Sequence, residues 1–230
     1  MSDLIKLKFK ILLIGDTGVG KSSILLKYMN NCFFHETHIA TIGVEFKTKI
    51  ITKGKYKINL NIWNSAGQGR FKSIPRSFYS GATGIIFVYD ITKRETFSSI
   101  RKWIKDVEDY KVERILCGNK RDLDVNRSVR LDELKEYGIK SKIDIMETSA
   151  ETGENIIEAF DKLIDNIIKN RTEDELIRDF GIKNEPKRNN LINTKTGQKS
   201  KCYKWIIKNN IFIYSYIKIY SKNYLLFNKL

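Results

Sequence analysis

Apolar residues gather in short blocks along this chain, and polar or glycine-rich segments separate the blocks. Phe9-Lys10-Ile11-Leu12-Leu13-Ile14 is a near-continuous apolar run, the pattern of a strand buried on both faces. Ile24, Leu25 and Tyr28 then recur at helical spacing. Val44 to Thr52 and Tyr56 to Trp63 read as strands joined by Lys53-Gly54-Lys55. Ile58, Leu60 and Ile62 alternate there with Lys57, Asn59 and Asn61, which predicts a hairpin at a sheet edge. Gly84 to Ile91 is a buried strand, and Thr92 with Glu95 has the spacing of a capping box. Phe97, Ile100, Ile104 and Val107 form a helical stripe behind it. Arg114–Gly118 is a strand, Leu131–Tyr137 a short helix and Ile143–Thr148 the last strand. A long amphipathic helix carries Ile156, Ile157, Phe160, Leu163, Ile164 and Ile167 and ends near Arg171. Strands alternating with helices predict an α/β sheet covered on both faces. Ligands of such sheets sit at the carboxyl ends of the strands.

The chemistry falls at those ends. Gly15 to Ser22 reads GDTGVGKS and fits the phosphate-loop pattern G-x-x-x-x-G-K-S/T, between a strand and a helix. Its glycines let successive backbone N–H groups converge on phosphate oxygens. Lys21 can reach the terminal phosphates, and the Ser22 hydroxyl can ligate Mg²⁺. The helix behind the loop adds its positive dipole end. After the strand ending at Gly118 comes Asn119-Lys120-Arg121-Asp122. A carboxylate such as Asp122 can accept two N–H bonds from a guanine edge, a donor pair that adenine lacks. Asn119 can bond the other ring edge, and the Lys120 stem can lie over the base.

These segments give the chain a resemblance to the small GTPases, and within them to the Rab family. The carriers are GDTGVGKSS (15–23), TIGVEF (41–46), IWNSAGQGRF (62–71), SFYSGATG (77–84), GNKRD (118–122) and ETSAETGEN (147–155). The resemblance covers about residues 7–171 and implies a P-loop NTPase with a mostly parallel six-stranded sheet, the small G-protein fold. It implies GTP/GDP and Mg²⁺ as ligands. The nucleotide would lie on Gly15, Asp16, Thr17, Gly18, Val19, Gly20, Lys21, Ser22 and Ser23. Thr41 resembles the threonine that ligates Mg²⁺ only beside a γ-phosphate, Gly67 would bond that phosphate, and Gln68 would orient the attacking water. Phe34 would stack on the guanine, while Ser149 and Ala150 would offer backbone N–H groups to its oxygen. Phe46, Trp63 and Phe78 match an aromatic triad shown to effectors, with core packing as the other reading of Phe46 and Phe78. An exchange factor and a GAP are the other implied partners, around a monomer that works in vesicle traffic. The implied reaction is slow in-line hydrolysis of GTP; the alternative is a nucleotide-holding scaffold with little turnover.

Four departures from the family pattern stand out. Asn64 replaces the aspartate that holds Mg²⁺ through a water, which predicts weaker Mg²⁺ binding and faster nucleotide loss or slower hydrolysis. Gly69 replaces a glutamate, and Pro75 limits helix in the same segment. Glu151 replaces the lysine of a serine–alanine–lysine pattern.

Composition changes the picture only at the end of the chain. The 230 residues carry a net charge of +15, and residues 186–230 hold ten Lys or Arg and no Asp or Glu. That leaves +5 for residues 1–185, so the excess points to a basic, aromatic-rich tail (172–230) rather than a nucleic-acid-binding body. Cys32, Cys117 and Cys202 form no disulfide or metal-ligand pattern. Lysines interrupt the N-terminal apolar run, so neither a signal peptide nor a membrane span is expected, and the expected location is cytoplasmic. The last residues match no prenylation motif. Three readings of the tail stay open: a peripheral contact with the cytosolic face of endomembranes, an extra disordered or β-prone segment, or a gene-model artefact ending naturally near Cys202.

Overall fold

Six apolar strand segments pair into one mixed, mostly parallel sheet of order β2-β3-β1-β4-β5-β6. The computed structural model describes residues 4–33, 43–65 and 76–182. The strands are β1 (Ile5–Ile14), β2 (Val44–Lys53), β3 (Tyr56–Ser65), β4 (Gly84–Asp90), β5 (Glu113–Asn119) and β6 (Asp144–Glu147). The helices are α1 (Lys21–Asn30), α2 (Arg76–Tyr79), α3 (Arg94–Ser98), α4 (Ile100–Lys105), α5 (Leu131–Ser141), α6 (Ile156–Lys169) and α7 (Glu173–Phe180). A 3₁₀ segment spans Arg121–Asn126. Among the described strands only β2 runs antiparallel, against β3, and it forms the exposed edge that the hairpin pattern predicts.

Two cores separate by strand parity, as a period of two requires. Leu7, Phe9, Ile11 and Leu13 face α1 and α6, where Tyr28 stacks on Phe160 with ring centroids 3.7 Å apart. Leu12 and Ile14 face the other way and meet Phe87, Tyr89, Phe97, Ile100 and Leu134. Every residue of β4 is buried, which accounts for its uninterrupted apolar sequence.

Several expected boundaries move. β1 begins at Ile5, because Lys6 and Lys8 alternate with the inward Leu7 and Phe9. α5 runs past Tyr137 to Ser141, through a glycine. A Cβ at Gly138 would stand 2.6 Å from Ile145 Cγ2, so glycine here lets the helix close onto β6. The Thr92–Glu95 capping box does not form. The Thr92 N–H and hydroxyl both donate to Asp90 Oδ1, and Lys93 occupies the N-cap. The stripe from Phe97 to Val107 is split at Ser99 into α3 and α4.

Beyond Arg171, where the sequence reading placed the start of the tail, lies α7. Its capping box pairs the Thr172 side chain with the Glu175 N–H and the Glu175 side chain with the Thr172 N–H. Leu176 is buried, and Phe180 meets Phe9 edge-on at 5.5 Å. Leu7 bridges to Gly181, and the Ile182 N–H donates to Lys6 O at 3.0 Å. These contacts cover the stretch of β1 that β4, pairing only from Ile11 onward, leaves open. Residues 183–230, with the tail readings and Cys202, lie outside the described residues.

Candidate nucleotide site

The loop from Gly15 to Gly20 leaves the buried end of β1 and enters α1, so its backbone turns over the carboxyl edge of the sheet. Gly20 caps α1 with φ 96°, and a Cβ there would come 2.3 Å from Asn119 Nδ2. Only glycine permits both the left-handed turn and that approach. Val19 anchors the loop in the core, while Thr17 and Gly18 are exposed. Trp103 Nε1 donates to Asp16 Oδ1 at 2.8 Å and ties the loop to α4, a bond the sequence did not announce. Ser22 and Ser23 open the first turn of α1, and both are partly buried.

Lys21 is 5% exposed, and its ammonium donates to Gly15 O at 2.9 Å and Asp16 O at 2.7 Å. Burial pushes its pKa down to about 8, against an opposing pull from Asp16. A cation so desolvated, beside a turn of converging N–H groups, suits an anionic ligand.

Asn119 joins three distant segments. Its Nδ2 donates to Val19 O at 2.9 Å, and its Oδ1 accepts from Thr148 Oγ1 and from the Ala150 N–H, each at 3.2 Å. Lys120 adopts φ 70°, and its ammonium pairs with the fully buried Asp90 carboxylate at 2.6 Å. That pair follows from register, since Asp90 lies opposite Asn119 where β4 and β5 end. Asp122 is exposed, and its Oδ1 accepts from Ser149 Oγ at 2.5 Å. The Ser149 N–H donates to Glu154 O at 3.0 Å and the Ala150 N–H to Asn119 Oδ1, so both amides expected at the base have protein partners, and Ser149 also reaches Asp122 through its hydroxyl. Behind them Arg127 holds Glu147 in a two-pronged pair at 2.5 and 3.0 Å.

Asn64 is fully buried at the end of β3. Its Nδ2 donates to Ser22 Oγ at 2.7 Å and to Glu45 Oε2 at 3.3 Å. Its Oδ1 is buried with no hydrogen-bond partner among the described residues. The Ser22 hydroxyl and this orphaned amide oxygen are hard oxygen donors, which fits Mg²⁺. No group of three or more His, Cys, Asp or Glu with metal-site geometry occurs among the described residues, so any ion there draws largely on hydroxyl, amide and phosphate oxygen. Counting back from the Gly54-Lys55 turn puts Glu45 opposite Asn64, a signal present in the sequence. Phe34, Thr41, Gly67, Gln68, Gly69 and Pro75 lie outside the described residues.

Phe46, Trp63 and Phe78 come together on one face of the β2–β3 hairpin. Ring centroids are 4.8 Å apart for Phe46–Trp63 and 6.2 Å for Trp63–Phe78. Phe46 is 47% exposed, which separates it from ordinary core packing; Trp63 and Phe78 rest partly buried against the core. Lys10 lies 5.2 Å from the Trp63 ring centroid and donates to Phe78 O and Ser80 O at 2.7 and 2.8 Å. No helix among the described residues is long and apolar enough to cross a membrane.

Comparison with known proteins agrees with this geometry. The model of the Ras family matches residues 10–169. The chain is 44% identical to Ras-related protein Rab-4A of Mus musculus over 163 residues, 70% of this chain and 74% of that protein. It is 41% identical to Ras-related protein Rab-4B of Homo sapiens over 179 residues, 76% of this chain and 84% of that protein. It is 43% identical to Ras-related protein RABD2a of Arabidopsis thaliana over 155 residues, 66% of this chain and 76% of that protein.

Proposed function

Because the chain belongs to the Ras family of small GTPases and is of the Rab type, we propose that it is a guanine-nucleotide switch with its phosphates on Gly15–Ser23 and its base on Asn119, Lys120, Asp122, Ser149 and Ala150. It is a GTP hydrolase, and the Rab type acts in vesicle trafficking. The Asn119 clamp is the observation that carries the residue assignment. One buried amide fixes the phosphate loop, the Thr148–Ala150 turn and the start of the Asn119–Asp122 motif in one arrangement. The Asp122 carboxylate, steadied by Ser149, accepts from the guanine edge in this reading.

Lys21 exchanges two loop carbonyls for phosphate oxygens when nucleotide enters, and its charge stabilises the transferring phosphoryl group. Ser22 and Asn64 hold the metal side of the phosphates, where bound Mg²⁺ supplies charge neutralisation. Gln68 orients the attacking water, and Thr41 and Gly67 sense the γ-phosphate by analogy with the family pattern. Effectors, exchange factor and GAP meet the surface of Phe46, Trp63 and Phe78, which the exposed Val44 and Ile50 of β2 extend. The protein works as a cytoplasmic monomer, and the basic segment 186–230 offers peripheral attachment to anionic membranes.

Competition of GTP, GDP and ATP for the purified protein tests the assignment. Guanine nucleotides displace a fluorescent GDP analogue and ATP does not; equal displacement by ATP refutes it. The Asn64–Ser22 bond favours a second reading, a scaffold that holds nucleotide and turns it over poorly. Single-turnover GTP hydrolysis with titrated Mg²⁺ separates the two, since a scaffold releases little or no phosphate at any Mg²⁺ concentration.

A further inference from the structure

Asn64 is fixed in one orientation. Its amide donates through Nδ2 to both Ser22 Oγ and Glu45 Oε2, at 2.7 and 3.3 Å. Rotating the amide by half a turn would set Oδ1 against the Glu45 carboxylate, acceptor facing acceptor. Glu45 therefore decides that an N–H, and not an oxygen, faces Ser22. Lys47 lies 3.7 Å from the other Glu45 oxygen and offsets its charge.

A carboxylate at position 64 would accept from the Ser22 hydroxyl and leave the oxygen's lone pairs to a cation. It would also repel phosphate whenever the cation left. The amide reverses both effects. It donates into Ser22 Oγ, engaging a lone pair from the metal side, and it brings no charge toward the phosphates. We propose that the Asn64 amide, oriented by Glu45, takes over part of the metal ion's task of holding Ser22 in the phosphate loop, so that guanine nucleotide is retained with weak dependence on Mg²⁺. The inference rests on the nucleotide-switch reading and specifies how its metal side is regulated. Glu45 is a positioning residue in this scheme, because it acts only through Asn64.

Release of a fluorescent GDP analogue from the full-length protein into excess GDP, with Mg²⁺ or with EDTA, tests the idea. The parent protein releases nucleotide no more than about threefold faster in EDTA, the scale of one neutral hydrogen bond. Asn64→Asp raises that ratio to about thirtyfold or more, the scale of a charged interaction gained with metal and lost without it. Glu45→Ala frees the amide to turn its oxygen to Ser22, and the ratio moves toward that of Asn64→Asp. This second variant keeps the proposal testable should Asn64→Asp fold poorly. A parent ratio of about thirtyfold overturns it, as does a Glu45→Ala ratio equal to the parent's. If the parent takes up no guanine nucleotide in either condition, the nucleotide-switch reading itself fails, an outcome distinct from uptake with ordinary Mg²⁺ dependence.

Discussion

Replacing Asn119 with alanine dismantles the joint on which the site is built. The side chain is 1% exposed and makes three hydrogen bonds, to Val19 O, Thr148 Oγ1 and the Ala150 N–H. At about 1 kcal/mol net for each bond, the loss is about 3 kcal/mol, and the buried Val19 carbonyl and Ala150 amide left without partners push it no lower. For a domain of this size the melting temperature falls by about 2–4 °C per kcal/mol, hence about 6–12 °C. The same cut frees the phosphate loop from the base-binding turns, so GDP affinity falls by about tenfold or more. Urea denaturation without nucleotide, together with GDP titration, reads both effects. Asn119→Asp is the informative companion, because it sets a carboxylate oxygen where Nδ2 now lies 2.9 Å from Val19 O and is at least as damaging. A loss of stability under about 1 kcal/mol with unchanged GDP affinity would refute the clamp.

Lys21 titrates near pH 8 in the protein without nucleotide, and phosphate beside it restores the ammonium. Nucleotide binding near pH 8.5 therefore takes up protons, and affinity falls as pH rises above about 8. Calorimetry in buffers of different ionisation enthalpy shows the uptake; a heat independent of buffer contradicts it. Arg127→Ala leaves the Glu147 carboxylate, whose side chain is 7% exposed, with only the longer 4.0 Å pair to Arg121. The cost is about 2–4 kcal/mol, below the full value for a buried pair because Arg127 keeps 19% exposure. An unaltered denaturation midpoint would count against this pair. A chain ending at Arg171 loses the burial of Leu176 and the Phe180–Phe9 contact, about 3 kcal/mol relative to one ending at Ile182. Equal denaturation midpoints for those two chains would show that α7 adds nothing to the fold.

Strands buried on both faces were legible because nothing polar interrupts them, as in Ile11–Ile14 and Ile85–Tyr89. The phosphate loop and Asn119–Asp122 were legible because each is contiguous in sequence. What escaped depends on long-range packing. The first half of β1 alternates lysine with core residues, and only the covering strap at Gly181–Ile182 completes it. α7 shows just Leu176, Ile177 and Phe180 among charges, although Thr172 and Glu175 announce its start. Gly138 reads as a helix stop until Ile145 is seen against it. Thr92 and Glu95 have capping-box spacing, but the buried Asp90 captures the threonine first. Asn119 suggested base recognition from its motif, whereas its tie to Val19, 100 residues away, emerges only in the folded chain.

The central claim, a guanine-nucleotide switch built on the joined phosphate and base segments, is tested most directly on the purified full-length protein. Bound nucleotide is released by denaturation and separated by chromatography, and the same preparation is loaded with GTP and followed through one turnover. The account predicts close to one guanine nucleotide per chain and slow conversion of loaded GTP to GDP. Adenine nucleotide in the site, or a chain that takes up no guanine nucleotide after loading, would contradict it.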